Sequence, residues 1–216
     1  MNLYLLKKFL LLALVCMAVS SCMNRQFELR SGDLLFQVNE SNDFTDAITA
    51  STADTANFPF SHVGIAKVEN GRVNIIEAVP DGGVHKISLQ QFLDGSAHTK
   101  EGKPVVVVYR LKTEIDLTKA VENAEKYIGL PYDSAFQPDD SSFYCSELIY
   151  KSYLDNQNKP IFRSRPMSFS DSTGKISSLW IGYFRKLGKP VPEKAPGTNP
   201  FDMSKEKVIR EVYRYF

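Results

Sequence analysis

Cysteine is scarce in this chain, and its scarcity narrows the chemistry that the chain can perform. Three cysteines, Cys16, Cys22 and Cys145, occur in 216 residues. No cysteine or histidine pair has the spacing of a zinc site, and no glycine-rich phosphate-binding loop is present. The sequence therefore predicts neither a metal ion nor any other cofactor.

An excess of charge of one sign is also missing. The chain has 26 Lys and Arg residues against 25 Asp and Glu, and such a balance gives no electrostatic basis for binding nucleic acid. Internal repeats, low-complexity tracts and long linkers are absent, and no second transmembrane candidate follows the N-terminal apolar run. The length fits one domain with a sizeable core.

The N-terminus has the pattern of an exported bacterial lipoprotein. Two lysines precede an apolar run at residues 9–19, which is too short to span a bilayer and is typical of a signal peptide. Small residues then precede Cys22, as in a lipobox, where the cysteine is lipidated and becomes the new N-terminus. We expect residues 1–21 to be a signal peptide and residues 22–30 a lipidated tether in the bacterial cell envelope, facing the periplasm or the cell surface. A plain secretory signal cleaved elsewhere, or a weak membrane anchor, is the alternative.

Removal of that signal leaves Cys145 as the one free thiol. With Cys22 lipidated, Cys145 has no disulfide partner in an oxidising compartment. It is then either a buried, inert side chain or a nucleophile. The segment SSFYCSELIYKSY predicts a helix that begins near Cys145. A start after a serine-rich loop argues against full burial, and a helix N-terminus stabilises a thiolate.

Strand and helix patterns follow one another irregularly along the rest of the chain. Sequence pattern and turn residues predict strands over residues 33–38, 61–68, 72–79 and 208–216, and the segment 104–111, apolar on both faces, predicts a central strand. Helical spacing and caps predict helices over residues 43–52, after a capping box at 88–91, between Asp116 and Gly129, from Cys145 onward, and over 179–187. Residues 186–200 are expected to form an irregular surface crossing. Without strict βαβ alternation, the pattern indicates an α+β fold in one domain, residues 31–216.

Two of these helices carry an apolar stripe that predicts which face is buried. The stripe of the first helix is Leu117, Ala120, Val121, Ala124, Tyr127 and Ile128. The stripe of the second is Cys145, Leu148, Ile149, Ser152 and Tyr153.

An Asn-Gly pair at residues 70–71 predicts a two-residue hairpin turn and with it the register of two strands. In that register Gly64 lies opposite Glu77, and His62 is a diagonal neighbour of Glu77 on the same face. Gly64 is expected to leave room for the carboxylate, which needs a partner if it is buried. A bulge would change this result. The alternatives are a core histidine bonded to a backbone carbonyl, and a carboxylate paired with Lys or Arg.

The three residues Cys145, His62 and Glu77 have the chemistry of a cysteine hydrolase. A thiolate attacks, an imidazole moves the proton, and a third polar group orients the imidazole. The N–H groups at the helix start, with the hydroxyl of Tyr132 or Tyr144, are candidates for stabilising an oxyanion.

The segments SGDLLF, SHVGIA, IIEAVP, IGLPYD and FYCSELIYKSY, in this order, resemble the YiiX-like branch of the permuted papain-fold enzymes. These enzymes are related to NlpC-type cell-wall endopeptidases and to lecithin retinol acyltransferase. The resemblance covers about residues 31–153. It implies a circularly permuted papain-like fold, with a small antiparallel sheet packed against helices. It also implies that Cys145 is the nucleophile and His62 the base. NlpC-type members usually have His, Asn or Gln as the third residue, whereas this chain has Glu77.

The resemblance implies hydrolysis or transfer at an acyl carbon through a thioester. A peptide or isopeptide bond, such as that of a murein stem peptide, is the expected substrate of an exported lipoprotein. The alternatives are a lipid acyl hydrolase or acyltransferase, and a non-catalytic lipoprotein that binds peptide or lipid. Candidate substrate-binding residues are Tyr132, Asp133, Tyr144 and His85. The alternatives are a solvated acidic loop for Asp133 and an exposed histidine without function for His85. The sequence does not predict the oligomeric state.

Overall fold

The computed structural model describes residues 27–52, 58–112, 114–171 and 173–216. The predicted signal peptide and the predicted lipidation site at Cys22 lie outside these residues. Within these four ranges, no helix is long and apolar enough to cross a membrane.

A six-stranded antiparallel sheet forms the centre of the described structure. Its strands are β1 (Leu34–Gln37), β2 (His62–Glu69), β3 (Arg72–Val79), β4 (Gly83–Ser88), β5 (Val106–Leu111) and β8 (Ile209–Arg214). They lie in the order β4-β3-β2-β1-β5-β8. Two short strands, β6 (Arg165–Pro166) and β7 (Pro196–Gly197), pair separately.

Helices flank this sheet and complete the predicted α+β fold. They are α1 (Asp43–Thr52), α2 (Leu89–Asp94), α3 (Leu117–Lys126), α4 (Cys145–Ser152), α5 (Ser178–Lys186) and α6 (Pro200–Ser204). Ser88 and Gln91 form the predicted capping box of α2, and the Asp116 side chain caps α3. These caps satisfy N–H groups that have no partner within their helix, which fixes where each helix begins.

The β2–β3 hairpin has the predicted register. Asn70 and Gly71 both have positive φ angles, 50° and 75°, as a type I′ turn requires. Glu69 pairs with Arg72, and the same register continues to Ile65 and Ile76. The prediction that placed His62 and Glu77 on one face of this hairpin therefore had the correct pairing.

The main core lies between the sheet and the helices α3 and α4. The predicted stripe of α4 is buried along its whole length, and Tyr153 donates its hydroxyl to the Gly32 carbonyl oxygen at 3.0 Å. Burying each large apolar side chain of this kind contributes about 1.5–3 kcal/mol. The stripe of α3 is buried at Ala120, Val121 and Ala124, but Ile128 is 41% exposed. Its predicted burial was wrong because α3 ends at Lys126, before that position.

A buried ion pair fixes β1 to β5. Asp33 precedes β1 and is 1% exposed, and Arg110 of β5 donates to both of its carboxylate oxygens at 2.7 Å. The backbone N–H of Arg30 also donates to Asp33. A bidentate contact of this kind fixes direction as well as distance, so it aligns the two strands.

The sequence analysis missed four elements, which are β4, α6 and the two paired strands β6 and β7. Strand β4 begins at Gly83, directly after Gly82, and this glycine pair indicates a turn; the strand pairs on one side only, with β3. Helix α6 has five residues, too few for a helical period to be visible. Strand β7 lies inside the segment that was predicted to be an irregular crossing. Short elements such as these are set by tertiary contacts.

Gly83 provides a test of how β4 is held. It has a φ of 63°, and a Cβ there would collide with the carbonyl oxygen of Leu130. That carbonyl accepts from the N–H of Val84, so it cannot move without loss of a hydrogen bond. We expect Gly83→Ala to lower the free energy of unfolding by at least about 2 kcal/mol, measured by urea denaturation.

Gly71→Ala is the matched control for Gly83→Ala. Gly71 also has a positive φ, 75°, but a Cβ there would have no atom within 4 Å. Gly71→Ala should lower the free energy of unfolding only by the cost of the backbone strain, about 1 kcal/mol. Equal losses in the two variants would show that the contact with Leu130 does not matter.

Candidate active site

Cys145 is the first residue of α4, and Tyr144 is its N-cap. The Tyr144 side chain makes no capping hydrogen bond, so the first N–H groups of the helix keep their positive end for the site. Cys145 is only 6% exposed. The expectation of incomplete burial was wrong, because the start of α4 packs into the main core against β2 and β3. Cys145 nevertheless lines two cavities.

His62, the first residue of β2, joins the thiol to a carboxylate. Its Nε2 lies 2.6 Å from Oε2 of Glu77, and the Cys145 side chain lies near enough to raise the pKa of His62. Because Nε2 is engaged by Glu77, Nδ1 is the ring nitrogen that remains for the sulfur. The ring of Phe92 lies 5.8 Å from the imidazole, centroid to centroid, and restricts its position. The structure thus brings together the three side chains singled out in the sequence.

The electrostatics of this series favour an imidazolium. Burial by itself lowers the pKa of His62, but the hydrogen bonds and negative charges of Cys145 and Glu77 outweigh burial and raise the pKa to about 10. Burial likewise pushes the pKa of Glu77 upward, yet the bonds and charges of His62 and His85 bring it below its usual value. At neutral pH, His62 is therefore protonated and Glu77 is ionised.

The space above Gly64 is not where the Glu77 carboxylate lies. A Cβ on Gly64 would collide with Cγ2 of Ile75 and would lie 3.0 Å from the ring of Phe92. The expectation that this glycine makes room for the carboxylate was therefore wrong. Its small size instead lets core side chains pack against β2.

Two cavities meet at Cys145. One, of about 520 Å³ including space open to solvent, has five aromatic residues in its wall, and the other, of about 920 Å³ counted in the same way, is lined by His62 and several polar residues. Both are lined by Ile48, Ser61, Tyr132 and Cys145. The aromatic wall is formed by Tyr132, Phe136, Tyr144, Phe169 and Trp180. The polar residues of the second cavity include Asn39, Asn42 and Thr45. A substrate that crosses Cys145 would meet a mainly apolar surface in the first cavity and a surface with more polar groups in the second.

The four candidate substrate-binding residues have different positions. Tyr132 lines both cavities. Tyr144 lines the aromatic one, but its hydroxyl accepts from the backbone N–H of Thr198. Asp133 is buried and accepts from two N–H groups of its own loop, so its carboxylate holds that loop. His85 lines neither cavity and is bonded to Glu77 at 3.0 Å.

Several residues of this region were given no function in the sequence analysis. Trp180 and Phe169 line the aromatic cavity, and an aromatic residue on an amphipathic helix cannot be distinguished from ordinary core by sequence. Glu147 is 5% exposed, and one of its oxygens, Oε2, has no hydrogen-bond partner. In the sequence, Glu147 stands out only by its position in the first turn of α4, where an acidic residue is common and indicates helix capping.

Known proteins resemble the chain over most of its length. A family model described as a permuted papain-like amidase enzyme, YaeF/YiiX, C92 family, matches residues 28–213. The uncharacterized protein YiiX of Escherichia coli (strain K12) is 32% identical over 127 residues, which cover 57% of this chain and 57% of that protein. The match therefore spans little more than half of that relative.

A solved structure gives the same fold. The crystal structure titled metalloprotein yiiX, from Escherichia coli O157:H7, matches with a TM-score of 0.69 and 23% sequence identity. The match covers 87% of this chain and 98% of that one. The permuted papain-like fold expected from the sequence is thus confirmed.

Glu147 predicts how stability depends on pH. Burial, followed by the charge of Asp133, raises the pKa of Glu147 to about 8. A carboxyl group whose pKa is raised by folding stabilises the folded state most at pH values below its unfolded pKa. This contribution to the free energy of unfolding is lost as the pH rises through about 8. Glu147→Gln cannot ionise, and its amide oxygen can still accept from the N-cap. We expect it to raise the free energy of unfolding by about 2 kcal/mol near pH 9 and to have little effect near pH 4.

Urea denaturation at the two pH values measures this difference. Glu122→Gln, at an exposed position of α3, is the matched control and should change neither value. If Glu147→Gln has the same effect at both pH values, or is destabilising near pH 9, Glu147 is not held in its neutral form by the fold.

Proposed function

Because this chain belongs to the permuted papain-like amidase family of YaeF and YiiX, we propose that it hydrolyses an amide bond through a thioester on Cys145. Membership makes it a papain-like hydrolase, and the observation that supports this mechanism is the series of Cys145, His62 and Glu77, in which Cys145 and Glu77 both raise the pKa of His62 and Glu77 is hydrogen-bonded to it. The series contains a nucleophile, a proton carrier and an orienting carboxylate, each buried within reach of the next.

The first half of the reaction acylates the sulfur. The thiolate of Cys145 attacks the substrate carbonyl carbon, and an S–C bond forms as the carbonyl electrons move to oxygen. The imidazolium of His62 then gives its proton to the amide nitrogen, the C–N bond breaks, and the amine leaves. Glu77 keeps the bond to Nε2 throughout, so the other ring nitrogen stays directed at the sulfur.

The second half of the reaction frees the enzyme. A water molecule attacks the thioester carbon while neutral His62 accepts one of its protons. The S–C bond then breaks, which gives a carboxylic acid and returns the pair of thiolate and imidazolium. In both halves, the N–H groups that begin α4 are the nearest fixed dipoles for the oxyanion. The hydroxyl of Tyr132 is a second candidate donor, because Tyr132 lines both cavities together with Cys145.

The described residues do not fit a metal centre, although the solved yiiX structure is titled a metalloprotein. Among them, no three His, Cys, Asp or Glu side chains are grouped so as to hold a metal ion. His62 and His85 both direct Nε2 at the carboxylate of Glu77 instead of at a common point beyond it. The mechanism above therefore contains no metal-dependent step.

The substrate that we propose is a peptide or isopeptide bond of the bacterial cell wall. The support comes from the N-terminus, where residues 1–21 have the pattern of a lipoprotein signal and Cys22 that of its lipidation site. An enzyme anchored in this way by Cys22 is exported and lies beside murein. The polar side chains of the second cavity suit the polar groups of a stem peptide.

The aromatic cavity supports a second candidate, the hydrolysis or transfer of a lipid acyl group. It borders Cys145 directly, and Phe136, Phe169 and Trp180 form a wall that suits a hydrocarbon chain. In this alternative the fatty acyl group, instead of a peptide acyl group, forms the thioester with Cys145.

Incubation with a panel of muropeptides, N-acyl amides and phospholipids, followed by mass spectrometry, separates these functions. We expect the wild-type protein to cleave an amide in a muropeptide, and Cys145→Ala to lose at least about a thousandfold in rate. Release of fatty acid while the muropeptides stay intact would support the second candidate, the hydrolysis or transfer of a lipid acyl group. Binding that survives Cys145→Ser, with no turnover of any compound by the wild type, would contradict both and leave a binding lipoprotein.

A further inference from the structure

Glu77 is shared between two histidines. Its Oε2 bonds to Nε2 of His62 at 2.6 Å, and its Oε1 bonds to Nε2 of His85 at 3.0 Å. His85 is the residue of β4 directly opposite Glu77, at the short cross-strand distance that allows two side chains to meet. The series of side chains at the site therefore has four members, of which His85 is the last, and two hydrogen bonds join its last three members.

The second bond restricts a motion that the first leaves free. The terminal torsion of a glutamate is broad, so a carboxylate with one partner can rotate and exchange its oxygens. With Oε1 held by His85, the plane of the Glu77 carboxylate is fixed, and Oε2 is directed at His62. The orientation of His62, and with it the contact to Cys145, then depends on a residue of the neighbouring strand.

The surroundings of His85 favour this single orientation of its ring. Gly82 has a φ of 135°, and a Cβ there would lie 2.8 Å from Nδ1 of His85. Glycine at this position thus lets the ring lie flat against the turn, with Nε2 directed at Glu77. Neutral His85 with its proton on Nε2 is sufficient for the bond, because an ionised carboxylate needs only a donor.

His85 also differs from the other members in exposure. Its side chain is 30% exposed, compared with 8% for His62 and 7% for Glu77. It lines neither of the cavities at Cys145, so it does not lie where a substrate would. A role in the reaction must therefore be exerted through Glu77.

We propose that His85 is a positioning residue, which fixes the Glu77 carboxylate and thereby keeps His62 oriented toward Cys145. This inference rests on the proposed function for its catalytic meaning. In physical terms, the protonation of His62 depends on the hydrogen bond between His85 and Glu77, which His62 itself does not make. The bond from His85 also helps to hold the pKa of Glu77 below its usual value, which in turn favours the imidazolium of His62.

The test uses three substitutions at position 85 that differ in whether an N–H donor reaches the Glu77 carboxylate. The amide nitrogen of a glutamine side chain reaches about as far as Nε2 of histidine, whereas that of asparagine reaches only as far as Nδ1. His85→Gln should therefore keep the bond, and His85→Asn and His85→Ala should lose it. His98→Ala is the control, because His98 is exposed and pairs with Pro104, outside the site.

The primary readout is the titration of the His62 ring nitrogens by NMR in protein labelled with ¹⁵N-histidine. The chain has three histidines, so the variants also assign the signals. We expect the midpoint for His62 to fall by about one pH unit in His85→Ala and His85→Asn, a roughly tenfold change in proton affinity. His85→Gln and His98→Ala should keep the wild-type midpoint.

Two results would overturn the proposal. One is an unchanged His62 midpoint in His85→Ala and His85→Asn. The other is a midpoint in His85→Gln as low as in His85→Asn, which would show that the ring fills space and that its hydrogen bond is unimportant. If His85→Ala fails to fold, as thermal melting would show, the comparison of Gln with Asn still decides, because both side chains fill the site.

The titration is independent of turnover, so it remains informative if no substrate is found and the proposed function fails. Where a substrate is found, His85→Asn should lower kcat about tenfold with KM unchanged, since His85 does not touch the substrate. His85→Gln should restore kcat. A rise in KM with unchanged kcat would instead make His85 a substrate-binding residue and contradict the positioning role.

Discussion

The interaction on which the structure depends is a buried imidazolium held between the sulfur of Cys145 and the carboxylate of Glu77. His62 has lost almost all contact with water, and an unpaired charge in such a position would be strongly destabilising. Its partners Cys145 and Glu77 compensate for that loss, and they do so from opposite sides of the ring. The same arrangement that makes the charge tolerable also places a nucleophile beside its proton carrier.

Two rigid parts of the fold deliver these groups to one point. The two-residue turn at residues 70–71 fixes the register of β2 and β3, and thus the distance between His62 and Glu77. Helix α4 packs against the same two strands and brings Cys145 to the first residue of β2. The chain supplies the histidine before the cysteine, as the permuted order requires, and the packing of α4 brings together groups that are far apart in sequence.

Local rules predicted much of this architecture. The Asn-Gly turn, the Asp116 cap and the start of α4 at Cys145 each depend on a few neighbouring residues, and the structure has all three. The sequence could not predict the contact between Glu77 and His85, because β4 is an edge strand with a glycine-rich start. Nor could it predict the filling of the space above Gly64, since that depends on Phe92 from a separate helix.

The rate at which iodoacetamide labels Cys145, measured by peptide mass spectrometry from pH 5 to 9, tests the pairing of Cys145 with His62 most directly. If His62 stabilises the thiolate, labelling of the wild type is fast near pH 6. In His62→Ala it should be at least about tenfold slower at the same pH. Equal rates with the same pH dependence in the two proteins would contradict the pairing of Cys145 with His62.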